Sequence, residues 1–324
     1  MRILITGLSG FAGKHLIEYL SLEGKHNFFG VDLHKCTKDL NIGDSKLSEE
    51  IADLTDSKEV NKLIKGCKPA HIYHLAAQSS VKRSWDDPIS TFRTNVFSGT
   101  NLLESIRVYS PDTSMLVVCT AEAYGEKPEG SAIKETDRIY PENPYAVSKA
   151  AMDFTADIYY KAYGLKVMVA RSFNHIGPGQ SEGFVCSDFA RQVALIEAGK
   201  QAPVIMVGNL DSSRDFLDVR DVAKAYCYIM NRGKPGEAYN VCSGKPVKVF
   251  TLLEMLISLS NRENIEVKLD KDKFRPIEIP TIFGDNTRLT TAIGWQQEYG
   301  LKDSLKDSLD WWREKINSEK GNEI

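Results

Sequence analysis

The sequence predicts a doubly wound α/β fold: a parallel sheet with helices on both faces and a smaller lobe built from the C-terminal half. Three observations carry that prediction. Short β-branched and aliphatic runs alternate with helical stretches through the first half of the chain. The first of these runs opens onto a glycine-rich turn and then a helix. Beyond Arg171 the alternation gives way to loops, charge clusters and prolines.

Arg2 to Thr6 has the pattern of a buried strand. It leads into Gly7-Leu8-Ser9-Gly10-Phe11-Ala12-Gly13 and a helix through Lys14–Leu20. Strand, glycine turn and helix in this order let backbone N–H groups approach a pyrophosphate at the helix N-terminus, as in a Rossmann-type sheet. The plain alternative is a tight turn with no ligand. Asn27 to Asp32 reads as a second strand ending in an acid, about twenty residues beyond the glycines, where a carboxylate bonds an adenosine ribose. A carboxylate there repels a 2′-phosphate, which favours NAD(H); Lys35 close behind partly offsets this and leaves NADP(H) open.

Asp53-Leu54 precedes a helix that Thr55 or Ser57 would cap. Pro69 to Leu75 reads as the third strand, and Ala76-Ala77-Gln78 after it leaves room for a ligand across the strand end. Pro88 to Val108 reads as one long helix, with Asn95 either a buried bonding group or a surface residue. Ser114 to Cys119 is a fourth strand running into Thr120-Ala121-Glu122. A helix is expected over 142–163, after Pro141, and Lys166–Ala170 gives a fifth strand. Ligands of such sheets sit at the carboxyl ends of the strands, so Thr120 and Tyr145 should share a rim with the glycine turn.

Asn174-His175-Ile176-Gly177-Pro178-Gly179-Gln180 has loop chemistry. A helix over Val185–Ala198 and a strand at Val204–Val207 follow. The charged run Arg214–Asp221 leads into another helix, and Arg220 is best read as an ion pair with Asp218 and Asp221. Prolines extend Phe274–Pro280, a last helix spans Leu301–Ile316, and the polar tail from Asn317 should fray. The expected division is a dinucleotide-binding part over 1–172, with segments near 213–245 returning to it, and a second lobe from 173–212 and 246–324.

Tyr145 and Lys149 stand four apart on the expected helix and so meet on one face. A phenol beside an ammonium is a chemical device, because the cation stabilises phenolate. Moving a tyrosine from ~10 to ~7 takes roughly 4 kcal/mol, which a close, partly desolvated cation and cofactor hydroxyls would share. The plain alternative is an ordinary Tyr–Lys pair on a helix surface.

Bulk properties exclude several classes. The 324 residues carry a formal net charge of -3, with 42% hydrophobic and 26% charged residues, an ordinary globular balance. Nothing in it attracts nucleic acid or an anionic membrane. No apolar run approaches the ~20 residues of a membrane span, and no signal segment leads the chain. The six cysteines, at 36, 67, 119, 186, 227 and 242, are scattered without a Cys-x-x-Cys pair. They read as reduced thiols of a cytoplasmic protein, and no His/Cys spacing suggests a metal.

Gly7/Gly10/Gly13, Asp32, Asp53-Leu54, His74-Leu75-Ala76-Ala77, Asn95, Thr120, Tyr145/Lys149 and Asn174, in this order, resemble the extended short-chain dehydrogenase/reductase family over nearly the whole chain. The resemblance implies an oxidoreductase with Thr120, Tyr145 and Lys149 as its catalytic triad. Lys149 would bond the nicotinamide ribose and lower the Tyr145 pKa, and Thr120 would position the substrate oxygen. Gly7, Gly10, Phe11, Gly13, Asp32, Asp53, Leu54, Leu75, Ala76, Ala77 and Asn95 would line the cofactor. A homodimer formed through helices 88–108 and 142–163 is implied, with Met152, Phe154 and Ile158 at the interface or against the sheet.

The loop Phe173–Gln180, Gly208-Asn209-Leu210 before Arg214, and Arg275-Pro276 before Glu278 are similar to family members acting on GDP-linked deoxyhexoses. That makes the second lobe a nucleotide-sugar-binding lobe. Ser79 and Asn174 would contact the sugar-nucleotide, Arg214 and Arg275 its diphosphate, and Glu278 its ribose. The implied reaction is NAD(P)H-dependent reduction of the C4 ketone of a GDP-4-keto-6-deoxyhexose, to a rhamnose-configured product. Residues 79–82 and 174–187 would select the sugar face, and a talose-configured product stays open. A 4,6-dehydratase shares the fold and triad, and Glu122 is available as its C5 base. The dehydratases carry Thr-Asp-Glu or Thr-Ser-Glu where this chain has Thr120-Ala121-Glu122, and Ala121 has no proton to give. A C4 epimerase and, ranked lowest, a non-catalytic NAD(P)-binding protein are the other readings.

Overall fold

The computed structural model describes residues 1–35, 40–127, 131–274, 277 and 279–318. The first lobe opens with β1 (Arg2–Thr6), α1 (Phe11–Glu23), β2 (Asn27–Asp32), β3 (Lys46–Ile51), α2 (Ser57–Cys67) and β4 (His71–His74). Next come α3 (Val81–Asp86), α4 (Pro88–Phe92), a π-helical turn (Arg93–Phe97), α5 (Ser98–Tyr109), β5 (Ser114–Thr120), α6 (Pro144–Tyr163) and β6 (Lys166–Ser172). The remainder holds β7 (Asn174–Ile176), α7 (Val185–Glu197), β8 (Val204–Val207), β9 (Ser213–Asp218), α8 (Val219–Arg232) and β10 (Ala238–Val241). It closes with β11 (Pro246–Lys248), α9 (Val249–Ser258), β12 (Glu266–Leu269), β13 (Thr281–Ile282) and α10 (Leu301–Ser318).

Seven strands form one parallel sheet in the order β10-β6-β5-β4-β1-β2-β3. Alternation along the strands sends side chains to opposite faces. Ile3, Ile5, Leu116, Met168 and Ala170 pack with Leu16, Ile17 and Tyr226 on the face of α1 and α8. Leu4, Ile72, Met115, Val117 and Val167 pack with Val60, Leu102, Leu103 and Met152 on the face of α2, α5 and α6. A slip of one residue would exchange the two cores, so register is tightly held. A third core joins α7, α9 and α10 through Phe189, Val193, Leu252, Leu256, Leu305 and Leu309. Beside it, β9 pairs with β11, β13 and β7, and β8 pairs with β12.

Several expectations are corrected. The edge strand β3 went unread, because Lys46-Leu47-Ser48-Glu49-Glu50-Ile51 is largely exposed and rich in charge. Neither Thr55 nor Ser57 caps α2; the Asp56 carboxylate does, accepting from Lys58 N–H at 2.7 Å. The long helix over 88–108 is interrupted by the π turn at Arg93–Phe97. Part of the loop after Phe173 is the short strand β7, held in parallel register to Phe216–Asp218 of β9. Arg220 pairs with Asp218 and Asp307, each at 2.7 Å, while Asp221 instead accepts the N–H groups of Glu298 and Tyr299. Met152 is buried in the core, whereas Phe154 and Ile158 of the same helix are exposed. Cys67, Cys119, Cys186, Cys227 and Cys242 are free and buried; Cys36 lies outside the described residues.

Candidate active site

The glycine turn sits where β1 ends. Gly7 has φ +72°, its N–H donates to Val31 O at 2.8 Å, and a Cβ there would stand 2.8 Å from Ala76 N. Only glycine lets the turn lie this close to the end of β4. Gly10 starts α1, and Gly13 packs so tightly on the turn that any side chain would overlap Gly7 O. Asp32, at the end of β2, accepts the Ser9 N–H at 2.8 Å, so the acid is tied to the turn. Burial pushes its carboxyl pKa up against the pull of that bond. Thr6 holds the next strand end: its carbonyl accepts from Leu75 N at 3.2 Å, and its Oγ1 accepts from Ala76 N at 3.3 Å. Gly7, Gly10, Phe11, Gly13, Asp32, Leu75, Ala76 and Ala77 are thereby gathered at the carboxyl ends of β1, β2 and β4. A turn that excludes side chains, aims N–H groups from a helix start and ends beside a carboxylate fits a dinucleotide.

Asp53 and Leu54 follow β3 and precede α2. The Asp53 carboxylate accepts Thr55 N–H at 2.8 Å at the approach to α2, and the Leu54 side chain lies in the core. Asn95 is buried in the π turn. Its Oδ1 accepts from Gln78 N at 2.7 Å, and its Nδ2 donates to Gln78 O at 3.0 Å and to Ser148 Oγ at 2.9 Å. Ser148 Oγ in turn donates to Tyr145 O at 2.7 Å. Asn95 therefore connects the chain after β4 to the first turn of α6.

That turn is fixed by Asn143, which caps α6 through Oδ1 to Ala146 N–H at 2.8 Å and donates from Nδ2 to Glu122 Oε2 at 3.1 Å. Pro144 occupies the first helical turn. Thr120, buried at the end of β5, lies beside the half-buried Tyr145, and its Oγ1 accepts Glu122 N–H at 3.2 Å. Lys149 is buried one turn on and donates from Nζ to Val118 O at 2.8 Å. Burial pulls the Lys149 pKa down.

Among the protein's own groups, before any cofactor hydroxyl contributes, the balance at Tyr145 runs upward. Burial pushes the phenol up, Glu122 adds to that, and the neighbouring Thr120 hydroxyl only partly opposes it. The physical reason is desolvation: a phenolate here loses its water. Tyr145 is a neutral phenol, poised to give a proton.

Some neighbours carried no sequence signal. The Phe11 ring stacks on His175 at 5.8 Å, and His15 Nε2 meets Pro178 O at 2.9 Å, which fastens the loop after β7 to the start of α1. Burial lowers the pKa of both histidines. Ser172, opposite Thr120 in register, bonds Tyr226 OH at 2.7 Å.

Ser79 is exposed just beyond β4, and Asn174 is exposed on β7. Arg214 is buried on β9 and donates to Ser213 O at 2.8 Å and Pro280 O at 3.5 Å. Arg275 and Glu278 lie outside the described residues. Among the described residues, no group of three or more His, Cys, Asp or Glu could hold a metal, and no helix is long and apolar enough to cross a membrane.

The model of the GDP-mannose 4,6 dehydratase family matches residues 4–308. The chain belongs to this family, within the extended short-chain dehydrogenases/reductases. Its members in hand span more than one activity. GDP-6-deoxy-D-mannose reductase of Pseudomonas aeruginosa is 35% identical over 319 residues, 98% of this chain and 99% of the relative. GDP-mannose 4,6 dehydratase 2 of Arabidopsis thaliana is 28% identical and covers 95% of this chain and 85% of its own length. Among solved structures, RMD from Pseudomonas aeruginosa complexed with NADPH matches with TM-score 0.85 at 34% identity, over 97% of this chain and 99% of that one. UDP-glucose 4-epimerase of Thermus thermophilus in complex with NAD matches with TM-score 0.84 at 29% identity, over 97% and 99%. The family membership makes this chain an oxidoreductase of the short-chain dehydrogenase/reductase type.

Proposed function

We propose that this enzyme reduces the C4 ketone of a GDP-4-keto-6-deoxyhexose with a reduced nicotinamide cofactor, NADH in preference to NADPH. The carrying observation is the buried methyl of Ala121 between Thr120 and Glu122. A dehydratase must protonate a leaving hydroxyl at C6, and no acid stands at that position. Reduction needs only a hydride and one proton, which the Thr120–Tyr145 pair is built to deliver. The identity to a GDP-6-deoxy-D-mannose reductase supports the same choice.

When bound, the reduced nicotinamide supplies the hydride that becomes the C4–H of the sugar. Tyr145 gives its phenolic proton to the oxygen at C4, and Thr120 donates to the same oxygen, so charge is met as it develops. The neutral, desolvated phenol is the protonation state this direction requires. Lys149 would hold the nicotinamide ribose, and its charge offsets the phenolate left behind. Gly7, Gly10 and Gly13 would admit the diphosphate, and Asp32 would accept from the adenosine ribose. In this reading 1–172, with segments near 213–245, serves the cofactor, while 173–212 and 246–324 serve the nucleotide sugar. Ser79, Asn174, Arg214, Arg275 and Glu278 are the proposed substrate contacts. A homodimer through α5 and α6 would cover the exposed Phe154 and Ile158.

The test is direct. Purified enzyme with NADH and GDP-4-keto-6-deoxymannose should oxidise the cofactor and yield a GDP-6-deoxyhexose. No oxidation with that ketone, together with water loss from GDP-mannose, would overturn the reading in favour of a dehydratase, for which Glu122 stands ready beside Tyr145.

A further inference from the structure

We propose that Ser172, oriented by Tyr226, holds the carboxamide of the nicotinamide ring. The proposal rests on the nicotinamide-cofactor reading above and deepens it.

The sheet order lays out a path for the parts of a dinucleotide. From β2 the strands run on through β1, β4 and β5 to β6. Asp32 ends β2, the glycine turn follows β1, and Ala76 comes just after β4. Lys149, the candidate for the nicotinamide ribose, is tied to β5 through Val118 O at 2.8 Å. The next strand end along this path belongs to β6, and its last residue is Ser172.

Ser172 lies opposite Thr120 in parallel register, and opposed residues share a sheet face. That face is the one covered by α8, since Met168 and Ala170 of β6 pack there with Tyr226. Ser172 Oγ and Tyr226 OH stand 2.7 Å apart. Tyr226 is 0% exposed, and among the described residues Ser172 is its only hydrogen-bond partner. Were Ser172 the donor, the phenolic proton would be left in the core without an acceptor, which is costly. The phenol therefore donates and Ser172 accepts. The Ser172 O–H is then turned to another acceptor, and the residue, 6% exposed, meets none among the described residues. Tyr226 also adds to the upward push on the Tyr145 pKa, so the hydroxyl pair stands close to the proposed proton donor.

A neutral amide oxygen suits a neutral hydroxyl donor, and the nicotinamide carboxamide carries one. A ring held by that substituent cannot turn over about its glycosidic bond. One face then stays toward the sugar, and the hydride keeps its near-attack geometry.

The test is calorimetric titration of wild type, Ser172→Ala, Tyr226→Phe and the double variant. Each is titrated with NADH and with ADP-ribose, which lacks the nicotinamide; NADPH and 2′-phospho-ADP-ribose form a second pair. The pair that wild type binds more tightly is the one compared. Ser172→Ala should weaken the reduced dinucleotide on the order of five- to tenfold and leave its nicotinamide-free counterpart within about twofold. Tyr226→Phe should give the same split at about two- to threefold, because the serine hydroxyl remains but is no longer aimed. The double variant removes both partners of a buried bond, so it should melt close to wild type and keep the loss seen in Ser172→Ala. It decides the question if Ser172→Ala alone fails to fold. Equal weakening of both ligands, or of neither, would overturn the proposal and leave the cofactor reading intact. Wild type that binds neither pair would overturn the cofactor reading and this proposal with it.

Discussion

Replacing Asn95 by alanine separates a positioning residue from a cofactor ligand. The amide makes three hydrogen bonds, at 2.7, 3.0 and 2.9 Å, to Gln78 N, Gln78 O and Ser148 Oγ. Asn95 is 2% exposed, whereas Gln78 is half-buried and can recruit some water. Each orphaned buried group costs about 1–3 kcal/mol, and partial hydration of Gln78 lowers the sum to roughly 2–4 kcal/mol. For a chain of this size that is a fall in Tm on the order of 3–6 °C. The damage should also reach Tyr145, because Ser148 Oγ loses one of its two partners and the other is Tyr145 O at 2.7 Å. The expected result is therefore a lower Tm and a lower kcat, with the dissociation constant for NADH little changed. Scanning calorimetry, steady-state kinetics and fluorescence titration read the three quantities. An unchanged Tm with markedly weaker NADH binding would refute this reasoning and return Asn95 to the cofactor.

Tyr145→Phe should lower kcat by 10²- to 10⁴-fold, the usual worth of a positioned general acid, while cofactor affinity measured by titration holds; retained turnover would remove Tyr145 from the chemistry. Asp153→Ala should cost about 3–5 kcal/mol in denaturant melts, since it strands the buried Arg171 guanidinium that it pairs with at 2.7 Å. Arg171 also donates to Tyr124 OH and Glu135 O, each at 2.9 Å, and a loss under 1 kcal/mol would mean that these partners suffice. Burial pulls the His74 pKa down to about 3. The unfolded chain takes up that proton near ~6.5, so stability from this group is full above that pH and drains as pH falls toward the folded value, by roughly 4–5 kcal/mol in all. His74→Asn should flatten the acid limb of the stability curve, and an unchanged slope would contradict the assignment.

Strands β1, β2, β4, β5 and β6 could be read because a parallel sheet covered on both faces demands near-continuous apolar runs. Strand β3 could not, for the same reason inverted. An edge strand has one neighbour and partial cover, so Glu49 and Glu50 sit in it without cost and hide it from a search for apolar runs. The π turn was also invisible, because one extra residue per turn leaves no mark in composition. It is nevertheless what sets Asn95 toward Gln78 and Ser148.

The Tyr145–Lys149 spacing shows why a site is only partly legible from a pattern. Helical geometry does bring the two residues to one end of α6, and that follows from local sequence. The sign of the Tyr145 shift does not. It is decided by burial and by Glu122, which arrives from the turn after β5 and outweighs, together with burial, the pull of Thr120. None of these is near Tyr145 in sequence, so no helix pattern could reveal them. Their joint effect is to keep the phenol protonated. A protonated phenol suits reduction, where it loses its proton to the sugar oxygen as the hydride arrives, and opposes the reverse oxidation, which needs phenolate at the start. Between neutral and alkaline pH the oxidative rate should therefore climb while the reductive rate stays level, a divergence that measuring both directions on one enzyme preparation would reveal; parallel profiles would place the controlling proton on another group.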